Sequence, residues 1–207
     1  MSEKKRPIAE SALLVVDAQD SFKAQPKWSR RNNLDFEKNV ERLVDGFRRV
    51  GLPVFYILHS DDDPGFETTS PYYKLMEFLS PREDEPLLHK TTRNSFTSTN
   101  LQAMLLERGV RRLAVTGIQM EQCCETTARV AADLGYDVDF VQEATLTFPI
   151  PHVVDGRVVD ELGVDDIVRR TAFALRGRFA RIATVDDVLG ELQTLEAREE
   201  GTRRACA

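Results

Sequence analysis

Cysteine and histidine are both scarce in this chain of 207 residues, with three of each. Two cysteines are adjacent, Cys123 and Cys124, and the third, Cys206, lies in the carboxyl-terminal tail, so no disulfide framework can be drawn. That excludes the small stapled secreted folds and fits a reducing cytoplasm. Basic residues are not in surplus either. Lys and Arg total 28 against 34 Asp and Glu, a net charge of −6, and the cations come in short pairs such as Arg30-Arg31 and Arg111-Arg112. No nucleic acid or anionic membrane partner is expected from such a surface. No apolar run is long enough to span a bilayer, and the opening Met-Ser-Glu-Lys-Lys-Arg-Pro is not followed by a secretory apolar core. Internal repeats, low-complexity tracts and domain boundaries are missing too. One α/β domain over residues 1–207 is therefore expected, with loose ends at 1–10 and 197–207.

What is present is a set of short apolar runs alternating with helical spacing. Ala12 to Val16 is apolar without alternation, the pattern of a strand covered on both faces, and it ends in Asp17. Asp35 to Gly51 reads as a helix with Phe36, Val40, Leu43, Val44 and Phe47 on one face. Pro53 to Leu58 is a second strand, Pro71 to Leu79 a short helix, and Pro86 to His89 a third strand that delivers Lys90. A helix over Leu101 to Gly109 precedes a fourth strand, Leu113 to Thr116. After Gly117 helical spacing resumes at Gln122, with Cys124, Thr127 or Ala128, Ala131 and Leu134 on one face and Gly135 as the stop. Tyr136 to Val141 is a fifth strand. Asp155-Gly156 between valine pairs predicts a hairpin over His152 to Val159. A helix over Asp165 to Gly177, a strand over Phe179 to Ala183 and a helix from Val185 to about Ala197 complete the chain. The alternation implies a mainly parallel, about six-stranded sheet.

Three residues with usable chemistry stand at strand ends. Asp17 follows the first strand, Lys90 the third, and Cys123 the fourth, and in an open α/β sheet such ends share one edge. Cys123 falls where a strand turns into a helix, so unpaired N–H groups and the helix dipole should favour a thiolate. Blander roles fit each residue alone: a small buried cysteine, an aspartate cap, a solvated lysine. His59-Ser60-Asp61-Asp62-Asp63 suggests a metal site, but Asp-Asp-Asp-Pro-Gly is also a turn sequence and adjacent carboxylates diverge.

Three segments then carry a resemblance. Ala-Leu-Leu-Val-Val-Asp-Ala-Gln-Asp-Ser-Phe at 12–22, His-Lys-Thr-Thr-Arg-Asn-Ser-Phe at 89–96 and Thr-Gly-Ile-Gln-Met-Glu-Gln-Cys-Cys-Glu-Thr-Thr-Ala-Arg at 116–129 resemble, in that order, the isochorismatase-like cysteine hydrolases. The resemblance spans roughly residues 11–195. It implies a three-layer α/β/α Rossmann-like fold, a catalytic triad of Asp17, Lys90 and Cys123, and hydrolysis of a small C–N bond in an amide, lactam or carbamoyl compound. It also implies a cis peptide at Ile118-Gln119 and an oxyanion hole from the N–H groups of Gln119 and Cys123. Phe22, Trp28, Thr147 and Phe148 would wall the pocket of a small-molecule substrate, and the protein would be a dimer or tetramer. Nicotinamidases of this family carry an Asp-x-His metal motif after the second strand. Here His-Ser-Asp-Asp-Asp stands there, so neither zinc nor any other cofactor is expected, and nicotinamide is not the expected substrate. Siderophore-type isochorismatases lack the nucleophilic Cys, so Cys123 argues against isochorismate. Met120 replaces a common Thr or Ser.

Two other classes compete. A catalytically silent scaffold could keep the fold, and a redox protein could use the Cys123-Cys124 pair. Adjacent cysteines close a strained eight-membered ring, and no Cys-x-x-Cys is present.

Overall fold

The computed structural model describes residues 6–205. Five strands come first: β1 (Ser11–Val16), β2 (Val54–His59), β3 (Leu87–Lys90), β4 (Arg112–Ile118) and β5 (Asp137–Leu146). β6 (Ile150–Val154) and β7 (Arg157–Leu162) form a separate hairpin, and β8 (Arg181–Ala183) closes the main sheet. That sheet has six strands in the order β3-β2-β1-β4-β5-β8, and every neighbouring pair is parallel. The helices are α1 (Asp20–Lys23), α2 (Phe36–Arg49), α3 (Leu101–Glu107), α4 (Glu125–Asp133), α5 (Val164–Leu175) and α6 (Val185–Ala205). Among the described residues no helix is long and apolar enough to cross a membrane.

The unbroken apolar run of β1 has a physical reason. Leu13 and Val15 pack with Phe36, Leu43 and Phe47 of α2 and Val188 and Leu192 of α6. Leu14 and Val16 point the other way, into Leu101 and Leu105 of α3, Ala128 and Ala131 of α4, and Leu175 of α5. Both faces of the strand are thus buried, and three layers result.

The structure departs from the expectations in several places. Pro71 to Leu79 is not a helix. Its backbone pairs with the exit from β1: Asp20 N–H donates to the Lys74 carbonyl (2.9 Å) and Met76 N–H to that of Ala18 (3.0 Å). Turns on either side of a single antiparallel bridge, Gln19 with Leu75, satisfy these polar groups and bury Met76 without a helix. β5 continues beyond Val141 to Leu146, because the ladder with β4 shifts register between Val115 and Gly117, after which Thr145 pairs with Gly117. Leu134, expected on the packed face of α4, is 40% exposed, since the helix ends at Asp133. Ile8–Glu10 form a 3-10 turn, and α6 runs on to Ala205 through Glu196, Ala197, Arg198, Glu199 and Glu200, all strong helix formers. The expected looseness of residues 1–5, and the reading of Cys206, lie outside the described residues.

Candidate active site

The sheet order explains how three distant residues meet. β1 and β4 are neighbours, so Asp17 and the turn carrying Cys123 leave the same edge side by side. β3 lies beyond β2, and Lys90 reaches across the end of β2 to join them. Its Nζ donates to Asp17 Oδ2 at 2.8 Å and to Cys123 Sγ at 3.4 Å. Asp17 and Lys90 are fully buried and Cys123 is nearly so. Asp17 takes a left-handed backbone conformation (φ 52°) as it leaves β1. Its Oδ1 has no hydrogen-bond partner among the described residues. Cys123 sits in a wide π-type turn, Met120–Cys124, rather than in the first turn of a regular helix, and the Ile118–Gln119 peptide is cis, as expected.

Electrostatics overturn one expectation. Burial, followed by the nearby Asp17 carboxylate, pushes the Cys123 thiol well up, and the opposing pull of Lys90 does not cancel it. Burial works against the Lys90 ammonium, but Asp17 and Cys123 outweigh it and hold its pKa above the ordinary lysine value. Both directions favour the ammonium at Lys90 and the protonated thiol at Cys123. A helix terminus favours a thiolate only if burial does not dominate, and burial cannot be read from position. Cys124 is buried behind the turn, with its Sγ toward the Thr116 carbonyl (3.8 Å). That orientation gives no support to a working vicinal thiol pair.

The four residues expected to wall a pocket do come together, through Phe148. Its ring stacks on Phe22 (6.0 Å between centroids) and tilts against Trp28 (6.2 Å). Thr147 differs from expectation in what it touches: its hydroxyl donates to Glu121 Oε2 at 2.6 Å. Glu121 Oε1 accepts from Gln119 Nε2 (3.1 Å), and Gln119 Oε1 accepts from Lys27 Nζ (3.2 Å). A polar chain thus runs from the β1 loop through the Met120–Cys124 turn to the end of β5.

The isochorismatase-domain family profile matches residues 11–154. The chain belongs to the isochorismatase family. It is 31% identical to the family protein YrdC of Bacillus subtilis (strain 168), covering 92% of this chain and 97% of that one. It is also 31% identical to nicotinamidase 3 of Arabidopsis thaliana, over 67% of this chain and 74% of the relative. A family hydrolase from Chromobacterium violaceum superposes with a TM-score of 0.80 at 26% identity, covering 93% of this chain and 96% of that one.

Within this family fold, sequence reasoning missed the residues that surround Asp17, Lys90 and Cys123. Gln19 accepts the His59 N–H on Oε1 (2.8 Å), while its Nε2 donates to the His59 carbonyl (3.1 Å) and Ser21 Oγ (2.9 Å). It pins the β1 loop to the end of β2. The buried His59 ring has Nε2 2.9 Å from Asp61 Oδ2 and also meets Arg93 Nη1, which is itself 3.0 Å from Asp61 Oδ2. Burial first, then Lys90, holds the His59 pKa below its usual value, so the ring is neutral near pH 7. Of the His59 to Asp63 cluster that suggested a metal site, His59 and Asp61 are thus turned toward the Arg93 cation. Among the described residues no group of three or more His, Cys, Asp and Glu is arranged to hold an ion. The available signal for Arg93 was its place in the second motif, three positions after Lys90.

Proposed function

We propose that this isochorismatase-family protein is a metal-independent cysteine amidohydrolase, cleaving a small-molecule C–N bond in an amide, lactam or carbamoyl compound through a thioester. The observation that carries the reading is Lys90 Nζ held between Asp17 Oδ2 and Cys123 Sγ in a buried site. Relatives named ureidoacrylate amidohydrolase, streptothricin hydrolase and nicotinamidase support amidohydrolase-type chemistry.

On this reading Asp17 takes the thiol proton as Sγ attacks the carbonyl carbon. The raised thiol pKa favours moving the proton with the attack rather than before it. The N–H groups of Gln119 and Cys123 receive the oxyanion. The intermediate collapses, the C–N bond breaks, and Asp17 returns the proton to the leaving nitrogen. Water then attacks the thioester with Asp17 again as base, releasing the acid and the thiol. Lys90 remains an ammonium throughout and offsets the negative charge. Phe22, Trp28 and Phe148 offer the substrate an apolar wall. The direct test is the mass of Cys123 after incubation with a metabolite pool. An acyl adduct on that residue is expected, and turnover with acylation elsewhere would sink the mechanism.

The same reading needs no metal. Prolonged chelation should leave activity unchanged, with His59 and Asp61 paired to Arg93 as they are. Stoichiometric zinc in protein purified without added metal, lost together with activity, would count against it.

The reading extends to a homo-oligomer. Every residue of β6 and β7 is exposed, including Val153 (52%) and its cross-strand partner Val158 (64%). A two-stranded ribbon is marginal alone in water, and this one is tied to the β1 loop through the bidentate Arg30–Glu161 pair (2.7 and 2.6 Å). A second subunit covering the valines would bury roughly 1.5–3 kcal/mol per side chain. Val153→Asp with Val158→Asp should shift sedimentation toward monomer and lower activity together. A wild-type monomer at micromolar concentration would refute the oligomer.

A further inference from the structure

Most cations beside the site are partnered. Arg30, Lys90 and Arg93 each pair with a carboxylate, Glu161, Asp17 and Asp61, and Arg31 lies over the Trp28 ring with its Nη1 donating to the Trp28 carbonyl. Lys27, on the 3-10 turn Pro26–Arg30, forms no ion pair with any described residue. Its Nζ donates to the neutral Gln119 Oε1 at 3.2 Å and lies 5.0 Å from the Phe148 ring centroid and 5.9 Å from that of Phe22. The residue is half-buried, and burial pulls its pKa down against the more distant Glu121 and Asp63. An ammonium withdrawn from water without a counter-ion is unfavourable, and contact with ring faces recovers only part of that cost.

Its position gives the missing anion a source. Lys27 holds the side chain of Gln119, whose peptide N–H is one of the proposed oxyanion donors. A group bound at Nζ would lie one side chain from the reacting carbonyl, against the Phe22 and Phe148 wall. The nearest acid on the turn, Glu121, does not occupy that place. Thr147 and Gln119 donate to its two oxygens, and burial raises its pKa toward the neutral form. We infer that Lys27 recognises a carboxylate carried by the substrate, so that the amide cleaved is an anionic one. The inference rests on the reading of Cys123 as nucleophile. When substrate arrives, Lys27 exchanges the neutral Gln119 oxygen for a charged one, a stronger bond. The substrate then has an apolar body against Phe22, Trp28 and Phe148 and an acidic end at Lys27.

Alkylation of Cys123 tests this without a known substrate. Rates would be measured on the full chain, at one pH, for iodoacetate against iodoacetamide and for 3-iodopropionate against 3-iodopropionamide. In Lys27→Met, which keeps the stem over the rings, the acid-to-amide rate ratio should fall by about tenfold for at least one pair, the size of one charge-assisted hydrogen bond. Lys27→Arg should keep the wild-type ratio. Lys23→Met, which removes the same charge four positions earlier, should not change it. A wild-type ratio in Lys27→Met, or an equal fall in Lys23→Met, would overturn the assignment of Lys27 while leaving the nucleophile intact. Failure of every reagent to label Cys123 in the wild type would instead overturn the nucleophile, and this inference with it.

Discussion

Cys123→Ala will fold and will not turn over substrate. The substitution removes one sulfur from a buried site and leaves the Lys90–Asp17 pair at 2.8 Å, so the strand ends keep their anchor. The covalent step has no other group to carry it, because Cys124 points toward the Thr116 carbonyl. The expected loss is about 10⁴- to 10⁶-fold, as when the nucleophile is taken from an interdependent set. Asp17→Asn should come close to that loss, since an amide cannot take the thiol proton. Lys90→Met needs a stability measurement beside the kinetic one, because it leaves a buried carboxylate without its cation, a change of roughly 3–5 kcal/mol. Wild-type rates in Cys123→Ala with the same substrate would end the proposed mechanism.

The thiol also makes a pH prediction whose sign can be worked out. Burial and the Asp17 carboxylate hold the folded Cys123 thiol above the ordinary thiol value of 9.0. Above about pH 9 the unfolded chain therefore loses a proton that the folded chain keeps, and stability falls as pH rises. Lys90 acts in the same direction at higher pH, since its folded pKa is raised above 10.5. Cys123→Ala should flatten the alkaline fall in unfolding midpoint without abolishing it, because Cys124 is shifted the same way. A fall of wild-type steepness in that variant would show that Cys123 is not the group concerned.

The sheet and the meeting of Asp17, Lys90 and Cys123 at one of its edges were legible because both are written locally. Strand ends are marked where an apolar run stops at Asp17, Lys90 or Gly117, and the Asp155-Gly156 turn takes left-handed values at both residues (φ 48° and 73°), as the tight hairpin requires. What could not be read depends on contacts far along the chain. Gln19 has no special spacing, yet it holds the backbone of His59 on the neighbouring strand. Lys27 looks like one more surface lysine until Gln119 and Phe148, both more than ninety residues away, are placed beside it. The helix expected at Pro71 to Leu79 failed for the same reason. Its hydrophobic spacing suits a helix, but the loop after β1 supplies backbone partners that favour a bridge at Leu75 between two turns. The thiolate expectation failed because position near a helix start is local, whereas desolvation is set by the whole fold.

The same close packing makes Gly117 the position where one added methyl group should do most harm. Gly117 pairs with Val16 on β1 and with Thr145 on β5, at φ +125°. A Cβ built there would lie 1.8 Å from the Val16 carbonyl oxygen, 2.6 Å from its carbon and 2.8 Å from its nitrogen. All three are backbone atoms of the central strand, so no side chain can swing aside. Relief requires β1 and β4 to part at the edge where Asp17 and the Cys123 turn emerge. Gly117→Ala should thus cost at least about 4 kcal/mol, beyond ordinary overpacking. Against a total stability of roughly 5–15 kcal/mol, that leaves a marginal fold. Activity should fall further than the folded fraction does, because the strain falls on the strand ends that bring Asp17 and Cys123 together. Gly51→Ala is the matched control: it too has positive φ (+68°), but nothing lies within 4 Å of the added Cβ. Its cost should stay near 1 kcal/mol. Urea unfolding midpoints for the two variants separate backbone preference from collision. Equal shifts would show that β1 and β4 are not packed as closely at this edge as the structure has them.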